Sequence, residues 1–367
     1  FSKHSGGRVP TQPSTRIRAS MANQRFSDAL QKKNDGRPPV WFMRQAGRYH
    51  PHYQALRKAH SFMDLCKKPE IAAEAAMGPI EAYDFDAAIL FSDLLFPLEA
   101  MGMDLYYKPG PRFTWLCEDD ASMAKLEGGA ERAIHMAFQA DAVAQTRARL
   151  PKDKSLIGFV GGPATLFCYA VAGHFKEKKD ASHAAMADGR YDIFADKVIS
   201  LLVENIVLQA NAGAGAMAIL DTSAGLFGLD IFKEKLLPGL NQIMMKTKER
   251  LGADYPIVYY AKEVGPDYWT ILADTPVDCI GVDWHHDMAE VLNTFGERFA
   301  IQGNMDPHWL CLPQDEFAPL LEGYFENILK LPAAKRRGWV SGLGHGMVPQ
   351  AKPENVDLFL KRFKDLF

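Results

Sequence analysis

With 367 residues, 47% of them hydrophobic and 24% charged, the chain has the composition of an ordinary globular protein. That composition excludes disordered, collagen-like and disulfide-scaffold proteins. The net charge of −3 is unevenly spread, because the first twenty residues hold Lys3, Arg8, Arg16 and Arg18 and no acid. This leaves 38 of the 42 basic residues against all 45 acidic ones in the remainder. An acidic body argues against nucleic acid or an anionic membrane as a partner.

Residues 1–24 form a basic N-terminal arm that is rich in Ser, Thr and Arg. An acid-free arm of this kind is typical of part of an organelle transit peptide, and a disordered tail is an equally good interpretation. The arm favours a plastid location, with the cytoplasm as the alternative. The remaining residues, 25–367, contain no obvious linker and are expected to form one domain.

Short apolar runs recur along the chain and predict strands that are buried on both faces. There are eight, at residues 40–45, 87–92, 156–161, 216–221, 256–261, 279–284, 299–304 and 338–345. Amphipathic helical patterns lie between or after them, for example at 131–150, 232–251, 316–330 and 354–366. The alternation predicts an α/β fold, a single-domain (β/α)8 TIM barrel with extra helices after the second and third strands. An open doubly wound sheet is the alternative.

The third run lies within an uncharged stretch, residues 155–175, that is long enough to span a membrane. Gly161, Gly162 and Pro163 interrupt it, so a strand, a turn and a helix start are expected instead of a membrane span. The five cysteines are scattered and never form a CxxC pair, which favours a reducing compartment and argues against a structural zinc site.

Polar residues follow most of the predicted strands, at the end where barrel enzymes build their active sites. They are Arg44 and Arg48, Asp93, Asp221 and Thr222, Lys262, Asp283, Asn304, and His345. Each one, taken singly, has an equally good structural interpretation, because Asp and Asn at strand ends commonly bind neighbouring backbone groups.

Two of these groups predict specific chemistry. Arg44 and Arg48 form an anion clamp that Arg57 could join, since guanidinium forks match carboxylates or phosphates. Asp93 precedes an apolar segment, so it is either a carboxylate with a perturbed pKa, a fixed negative charge, or a helix N-cap. Tyr169 lies one turn beyond Thr165 and either points its hydroxyl at a ligand or packs in the core.

Glycines surround two further candidate positions. Those at 158, 161 and 162 are expected to let the backbone approach a flat ligand, and those around His345 to leave room for a large partner. The histidine pairs His50/His52 and His285/His286 are expected at the surface, because they lack the spacing of a metal site.

Taken together, these segments resemble the uroporphyrinogen decarboxylase family, which has a (β/α)8 barrel and uses no cofactor. The resemblance extends over nearly the whole chain after about residue 25. It rests on PVWFMRQAGRY (39–49), DAAILFSDLL (86–95), IGFVGGPATL (157–166), DTSAG (221–225), AIQGNMDP (300–307) and GLGHG (342–346).

The resemblance implies that the four acetate arms of uroporphyrinogen III lose carbon dioxide, giving coproporphyrinogen III for haem or chlorophyll synthesis. It implies a homodimer, no metal and no cofactor. It implies that Asp93 accepts hydrogen bonds from the pyrrole N–H groups. It implies that Arg44 also takes part in catalysis, either as the proton source or by holding a water molecule that donates the proton. The implied substrate contacts are Arg44, Ala46, Arg48, Arg57, Asp93, Tyr169, Thr222 and His345.

The chain departs from the family pattern at Ala164, Ser223, His50 and His52, which puts substrate affinity in doubt more than reaction type. Two alternatives remain open at this point. One is a corrinoid-related methyltransferase of the same superfamily. Such enzymes usually use a His-x-Cys pair to bind zinc, and no histidine of this chain is followed two residues later by cysteine. The other is a tetrapyrrole-binding protein without activity, which would have no need of so many retained site residues.

Overall fold

Short, fully buried strands form the centre of the structure, a computed structural model that describes residues 24–173 and 179–367. The predicted basic arm lies outside the described residues, apart from Gln24. The described strands are β1 (Ala87–Ile89), β2 (Leu105–Tyr107), β3 (Pro111–Phe113), β4 (Ser155–Gly161), β5 (Ala216–Leu220), β6 (Ile257–Tyr260), β7 (Cys279–Gly281), β8 (Ala300–Met305) and β9 (Trp339–Leu343).

Seven of these strands form one parallel sheet in the order β1-β4-β5-β6-β7-β8-β9. Every residue of the seven is buried, as expected for strands that have packing on both faces. Each strand pairs with the next one along the sheet and runs in the same direction, so a crossover must connect each pair. The seven strands coincide with the second to eighth predicted runs, and the prediction of an α/β fold is confirmed.

The first predicted run, residues 40–45, is not a regular strand. Only Val40 forms a bridge, with Ser341 on β9, and Ser341 donates its N–H to Pro39 O at 2.8 Å. On the other side, Asp86 N–H donates to Val40 O at 2.9 Å, just before β1. The sheet therefore curls far enough for residues 39–41 to reach both of its edges. The observed pairing gives a curled seven-stranded sheet with one added bridge, in place of the eight predicted strands.

Helices fill most of the connections between the strands. They span Gln24–Leu30, Pro51–Ala59, Phe62–Lys67, Pro69–Tyr83, Phe96–Ala100, Asp120–Ala124, Ala137–Arg149, Pro163–Ala172, Lys179–Ala187, Arg190–Asn211, Leu229–Ile231, Leu237–Leu251, Pro266–Leu272, Met288–Phe295, Gln314–Leu329 and Pro353–Leu366. Five begin at a proline, whose fixed φ and missing N–H suit the first helical position.

The four predicted helices are present, with altered starts for the first two. Residues 130–136 form a 3₁₀ segment before the helix Ala137–Arg149. Residues 232–236 form a π-helical segment before Leu237–Leu251, where Pro238 has no N–H to donate to the preceding turn.

Strands β2 and β3 stand apart from the sheet as an antiparallel hairpin, inserted between β1 and β4. The sequence predicts extra helices in this gap, and the helices Phe96–Ala100, Asp120–Ala124 and Ala137–Arg149 lie there, whereas the hairpin is an addition that it does not predict. No helix in the described part of the chain is long and apolar enough to cross a membrane. The five cysteines are all unbridged, and Cys311 alone is less than fully buried.

Candidate active site

A turn after Val40 presents Arg44 at the carboxyl end of the sheet. Gln45 holds the turn, because its N–H donates to Phe42 O, its side-chain oxygen accepts from Phe42 N–H at 3.1 Å, and its amide donates to Ala87 O at 3.0 Å. These bonds replace the strand ladder that the sequence predicts here. Arg44 has φ of 62°, a conformation that non-glycine residues seldom adopt and that often marks a functional site.

Arg44 lies where loops from several strand ends converge. Burial raises the pKa values of Asp93, Tyr169 and Tyr260, which follow or end three different strands, and the Arg44 charge opposes that rise in all three. The Arg44 side chain also covers the backbone of Gly346, where an added Cβ would lie 2.5 Å from Arg44 Cδ. The structure thus brings three of the predicted site residues, Arg44, Asp93 and Tyr169, within electrostatic reach of one another.

Asp93 lies half-buried in the turn after β1 and accepts a hydrogen bond from Leu95 N–H at 2.9 Å. Leu95, and not Asp93, is the N-cap of the helix Phe96–Ala100, so the N-cap interpretation of Asp93 is wrong. Burial raises the pKa of the Asp93 carboxyl, while the Leu95 N–H, the Tyr107 hydroxyl and the Arg44 charge oppose that rise. The protein therefore surrounds a partly desolvated carboxyl group with groups that favour its charged form.

The sequence analysis missed Tyr107, which ends β2 in the separate hairpin. Its ring packs on Phe62 with the centroids 4.6 Å apart, and its buried hydroxyl lies near enough to Asp93 to influence that carboxyl, although it forms no hydrogen bond of regular geometry with any described residue. Burial raises the pKa of Tyr107, and the neighbouring Asp93 charge adds to the rise. No local signal could have identified Tyr107, because the hairpin meets the β1 loop only in the folded chain.

His345 packs against Tyr260, a second aromatic residue that the sequence analysis did not select. The two rings stack at 5.8 Å with an interplanar angle of 13°, and Tyr260 OH lies 2.9 Å from Gly344 O and 3.1 Å from His345 Nδ1. Because the hydroxyl has one proton, donation to Gly344 O requires His345 Nδ1–H to donate to Tyr260. The neutral imidazole then carries no proton on Nε2.

Lys262 and Trp284 extend this wall of the site. The Lys262 ammonium group lies 5.3 Å from the Trp284 ring centroid and forms an ion pair with Glu263 at 2.7 Å. Trp284 in turn lies 6.3 Å from the His345 ring. The predicted residue Lys262 therefore belongs to the His345 side of the site, whereas Asp283 holds the N–H groups of Glu263 and His285 and is structural.

Arg48 and Arg57 form a second group of cations on the segment that follows Arg44. They line an open cavity of about 340 Å³ together with Tyr53, Gln54 and Lys58. Both arginines are exposed, although Arg57 also donates to His60 O at 2.6 Å. Ala46 is half-buried in the turn between Arg44 and Arg48 and packs on the hydrophobic core. This cluster gives the site a cationic rim that suits an anionic ligand.

Tyr169 lies on the helix Pro163–Ala172 and Thr222 lies in the loop after β5. Asp221 links this loop to that helix. The buried Asp221 carboxylate accepts from Thr165 N–H at 2.7 Å, and Thr165 Oγ1 accepts from Ser223 N–H at 2.9 Å. Burial raises the pKa of Asp221 to about 6. Thr222 is half-buried between these anchored residues, and Tyr169 lies one turn further along the same helix as Thr165.

The glycines near the site leave room for neighbouring atoms of the protein and not for a ligand. An added Cβ at Gly162 would lie 2.2 Å from Asp221 Cβ, one at Gly161 would lie 2.7 Å from Leu94 O, and one at Gly344 would lie 2.4 Å from Trp284 N. The expectation that these glycines approach or admit a ligand is therefore wrong for these three positions. They let neighbouring strand-end loops pack closely.

The four residues that depart from the family pattern are buried or half-buried in the structure. His50 is 5% exposed, contrary to the surface position expected for it, and burial lowers its pKa. His52 is half-buried and lies 2.8 Å from Glu74, on the helix Pro69–Tyr83. Ala164 and Ser223 are fully buried. His50 and His52 thus contribute to packing around the first helices.

A larger cavity, of about 500 Å³, lies outside this cluster, between the segment 284–288 and the helix Gln314–Leu329. Trp284 is the residue that it shares with the site. The described residues contain no group of three or more His, Cys, Asp and Glu side chains placed to hold a metal ion. The convergence of charged and titratable groups marks the residues around Arg44 and Asp93 as the candidate active site.

Comparison with known proteins places these features in a family. The family described as uroporphyrinogen decarboxylase (URO-D) matches residues 21–366. Proteins named uroporphyrinogen decarboxylase from Geobacter sulfurreducens and Xanthomonas euvesicatoria are 36% and 35% identical, covering 91% and 94% of this chain and 96% and 99% of their own. One from Legionella pneumophila is 34% identical over 93% of this chain and 96% of its own.

A solved structure of a methyltransferase from Methanosarcina mazei superposes with a TM-score of 0.69, at 18% identity, covering 94% of this chain and 98% of that one. At this identity the likeness shows a shared fold alone. The relatives named here are bacterial, so they give no support to a plastid location or to chlorophyll synthesis.

Proposed function

This chain belongs to the uroporphyrinogen decarboxylase family, and from that premise we propose that it decarboxylates uroporphyrinogen in the cleft around Arg44 and Asp93. The enzyme is a carboxy-lyase of tetrapyrrole biosynthesis. The substrate is uroporphyrinogen III, whose four acetate arms become methyl groups in coproporphyrinogen III. The observation that carries the assignment of the site is the convergence of Arg44, Asp93 and Tyr169 from three separate parts of the chain.

The charge distribution fits a polycarboxylate substrate. Arg44, Arg48 and Arg57 are all exposed, and we propose that their guanidinium groups receive the carboxylates of the substrate in bidentate geometry. Lys262, which lies against Trp284 near His345, provides a further cation. Ala46, Tyr169, Thr222 and His345 are proposed to contact the macrocycle or its arms between these cationic groups.

Decarboxylation of an acetate arm requires an acceptor for the electron pair left on its methylene carbon. Protonation of the electron-rich pyrrole at its α-carbon creates a cation in the ring that accepts this pair as the C–C bond breaks and carbon dioxide leaves. Protonation of the exocyclic carbon then completes the methyl group, and loss of the proton from the α-carbon restores the neutral pyrrole, so that each decarboxylation consumes one proton in total. Because the substrate supplies its own electron sink, we propose that the reaction needs neither a metal nor an organic cofactor.

Asp93 is proposed to stabilise the cationic intermediate by accepting hydrogen bonds from the pyrrole N–H groups. Its carboxylate has one oxygen engaged by Leu95 N–H, which leaves acceptor capacity for the substrate. A fixed negative charge in a partly desolvated site stabilises a developing cation strongly and needs no reorganisation during the reaction.

Arg44 is proposed to take part in the proton transfer to the pyrrole α-carbon. Free arginine is a poor acid, so Arg44 either supplies the proton itself or holds a water molecule that donates it. Both possibilities require Arg44 beside the ring, close to Asp93, which agrees with the electrostatic coupling of the two residues.

Two features of the assembly belong to the same proposal. Residues 39–41, bonded to both edges of the sheet, are proposed to complete an eight-stranded (β/α)8 barrel, so that all strand ends face one cleft. The enzyme is proposed to be a homodimer, which multi-angle light scattering would test. A plastid location remains a proposal to be tested by immunolocalisation against the cytoplasm.

The deciding experiment incubates the purified chain with uroporphyrinogen III under anaerobic, reducing conditions and separates the products by chromatography. Products with seven, six, five and finally four carboxyl groups are expected in succession. Asp93→Asn serves as the matched control, since it retains the size of the side chain. Absence of any decarboxylated product from the folded wild-type chain would overturn the proposal.

A further inference from the structure

The hairpin β2–β3 contributes to the site although it lies outside the parallel sheet. It contacts the helix Phe62–Lys67 on one side and the helix Phe96–Ala100, which follows the Asp93 turn, on the other. The Tyr107 ring packs on Phe62, which in turn packs on Phe91, with the centroids 6.3 Å apart. The hairpin therefore sets Tyr107 against the segment that carries Asp93.

The Tyr107 hydroxyl is a buried donor whose hydrogen bond is missing. Its oxygen is inaccessible to solvent and makes no hydrogen bond within the described residues, although burying an unpaired hydroxyl is costly. The adjacent residue Tyr106 is 45% exposed, as the alternation of a strand requires. The strand thus directs the hydroxyl of Tyr107 inward, where a carboxylate is available as acceptor.

We propose, on the basis of the function assigned above, that Tyr107 is a positioning residue whose hydroxyl donates to Asp93 and fixes the carboxylate for the pyrrole N–H groups. With Leu95 N–H, it supplies a second donor from a different element, so the carboxylate plane is held at two points. A carboxylate held at two points cannot rotate freely away from the ring nitrogens. The remaining acceptor positions then face the substrate.

Other charged or titratable groups also face Asp93 and bear on any pH dependence. They are Arg44 in the turn after Val40, Tyr169 on the helix Pro163–Ala172, and Cys66 on the helix Phe62–Lys67. Arg44 favours the ionised carboxylate, as does a hydroxyl donor at Tyr107, whereas desolvation opposes it. Removing the Tyr107 hydroxyl must therefore raise the pKa of Asp93, because it leaves the desolvation in place and deletes one opposing group.

The test is the pH dependence of kcat/KM for Tyr107→Phe, with Tyr106→Phe as the control on the exposed face of the same strand. Because catalysis needs ionised Asp93, activity falls as the pH drops through its pKa. Loss of one hydrogen bond to the charged group is expected to move this acid limb upward by about one pH unit. The control is expected to leave the limb in place, and partly decarboxylated products are expected to accumulate with Tyr107→Phe alone.

Infrared titration measures the pKa of Asp93 without substrate. The Asp93 carboxyl signal is the difference between the spectra of the wild type and Asp93→Asn, and the same difference is taken in the Tyr107→Phe background. The pKa is expected to shift by the same amount as the acid limb. Tyr107→Leu repeats both measurements with different packing against Phe62. Superimposable pH profiles and titrations would overturn the proposal, as would a raised KM with an unmoved acid limb. An inactive wild type would overturn the function instead, and the infrared titration would still decide the role of Tyr107.

Discussion

Asp221 is expected to make the stability of the enzyme decline as the pH rises from about 4 to 6. The carboxyl is 2% exposed, its pKa is raised by burial to about 6, and no ion pair among the described residues involves it. A group whose folded pKa exceeds its unfolded value of 3.8 binds its proton more tightly in the folded state. Its contribution to the free energy of unfolding is therefore largest at low pH and is lost as the pH passes through 6.

Asp221→Asn removes this titration while keeping an oxygen for the Thr165 N–H. The Tyr259 hydroxyl, which lies 3.4 Å from Asp221 Oδ2, can accept a hydrogen bond from the new amide instead of donating one. With about 1.4 kcal/mol per pKa unit, the stability of the variant relative to the wild type should rise by about 2 kcal/mol between pH 4.5 and pH 7.

The measurement is urea unfolding followed by circular dichroism at pH 4.5, 5.5 and 7 for both proteins. Asp230→Asn, at an exposed position in the short helix Leu229–Ile231, serves as the control for loss of a surface carboxylate. A stability difference between Asp221→Asn and the wild type that stays constant over this range, or that falls with rising pH, would refute the reasoning. It would mean that the hydrogen bonds from Thr165 and Tyr259 outweigh desolvation.

Three further outcomes are expected of the active site. Asp93→Asn should fold normally and lose on the order of a hundredfold in rate. Asp93→Glu should retain more activity and release partly decarboxylated products. Near-normal turnover by Asp93→Asn would show that another group stabilises the cation. Arg44→Lys should reduce mainly kcat and Arg48→Lys should raise mainly KM, because lysine cannot form the bidentate contact. Wild-type kinetics of both variants would show that these arginines are structural. Exhaustive chelation should leave turnover intact, whereas activity lost with EDTA and restored by zinc would favour a methyltransferase-like chemistry.

The strands of the sheet could be predicted because their signal is local. A strand buried on both faces must be a short apolar run, and seven such runs lie where the sequence predicts them. Many polar candidates could be found for the same reason, since parallel strands place their carboxyl ends at one edge. Arg44 and Asp93 are found in this way, whereas Tyr169 lies on a helix, where its position one turn beyond Thr165 indicates it.

What the sequence could not decide depends on contacts between distant segments. The run at 40–45 is apolar like the other strands, yet the Gln45 side chain bonds Phe42 N–H and Ala87 O and turns the backbone after Trp41. Gly162 and Gly344 looked like openings for a ligand because glycine shows only that a side chain is missing. The atoms that fill the space, from Asp221 and Trp284, come from other loops.

The sequence by itself determined the α/β class, the family and the residue types of the site, because local apolar patterns and short motifs carry that information. The tertiary structure alone decided which groups tune Asp93. Tyr107 reaches this carboxylate from a hairpin outside the sheet, and Arg44 reaches it from a turn about fifty residues earlier in the chain. The pKa of a carboxyl group depends on desolvation and on charges within a few ångströms, and those distances exist only once the chain has folded.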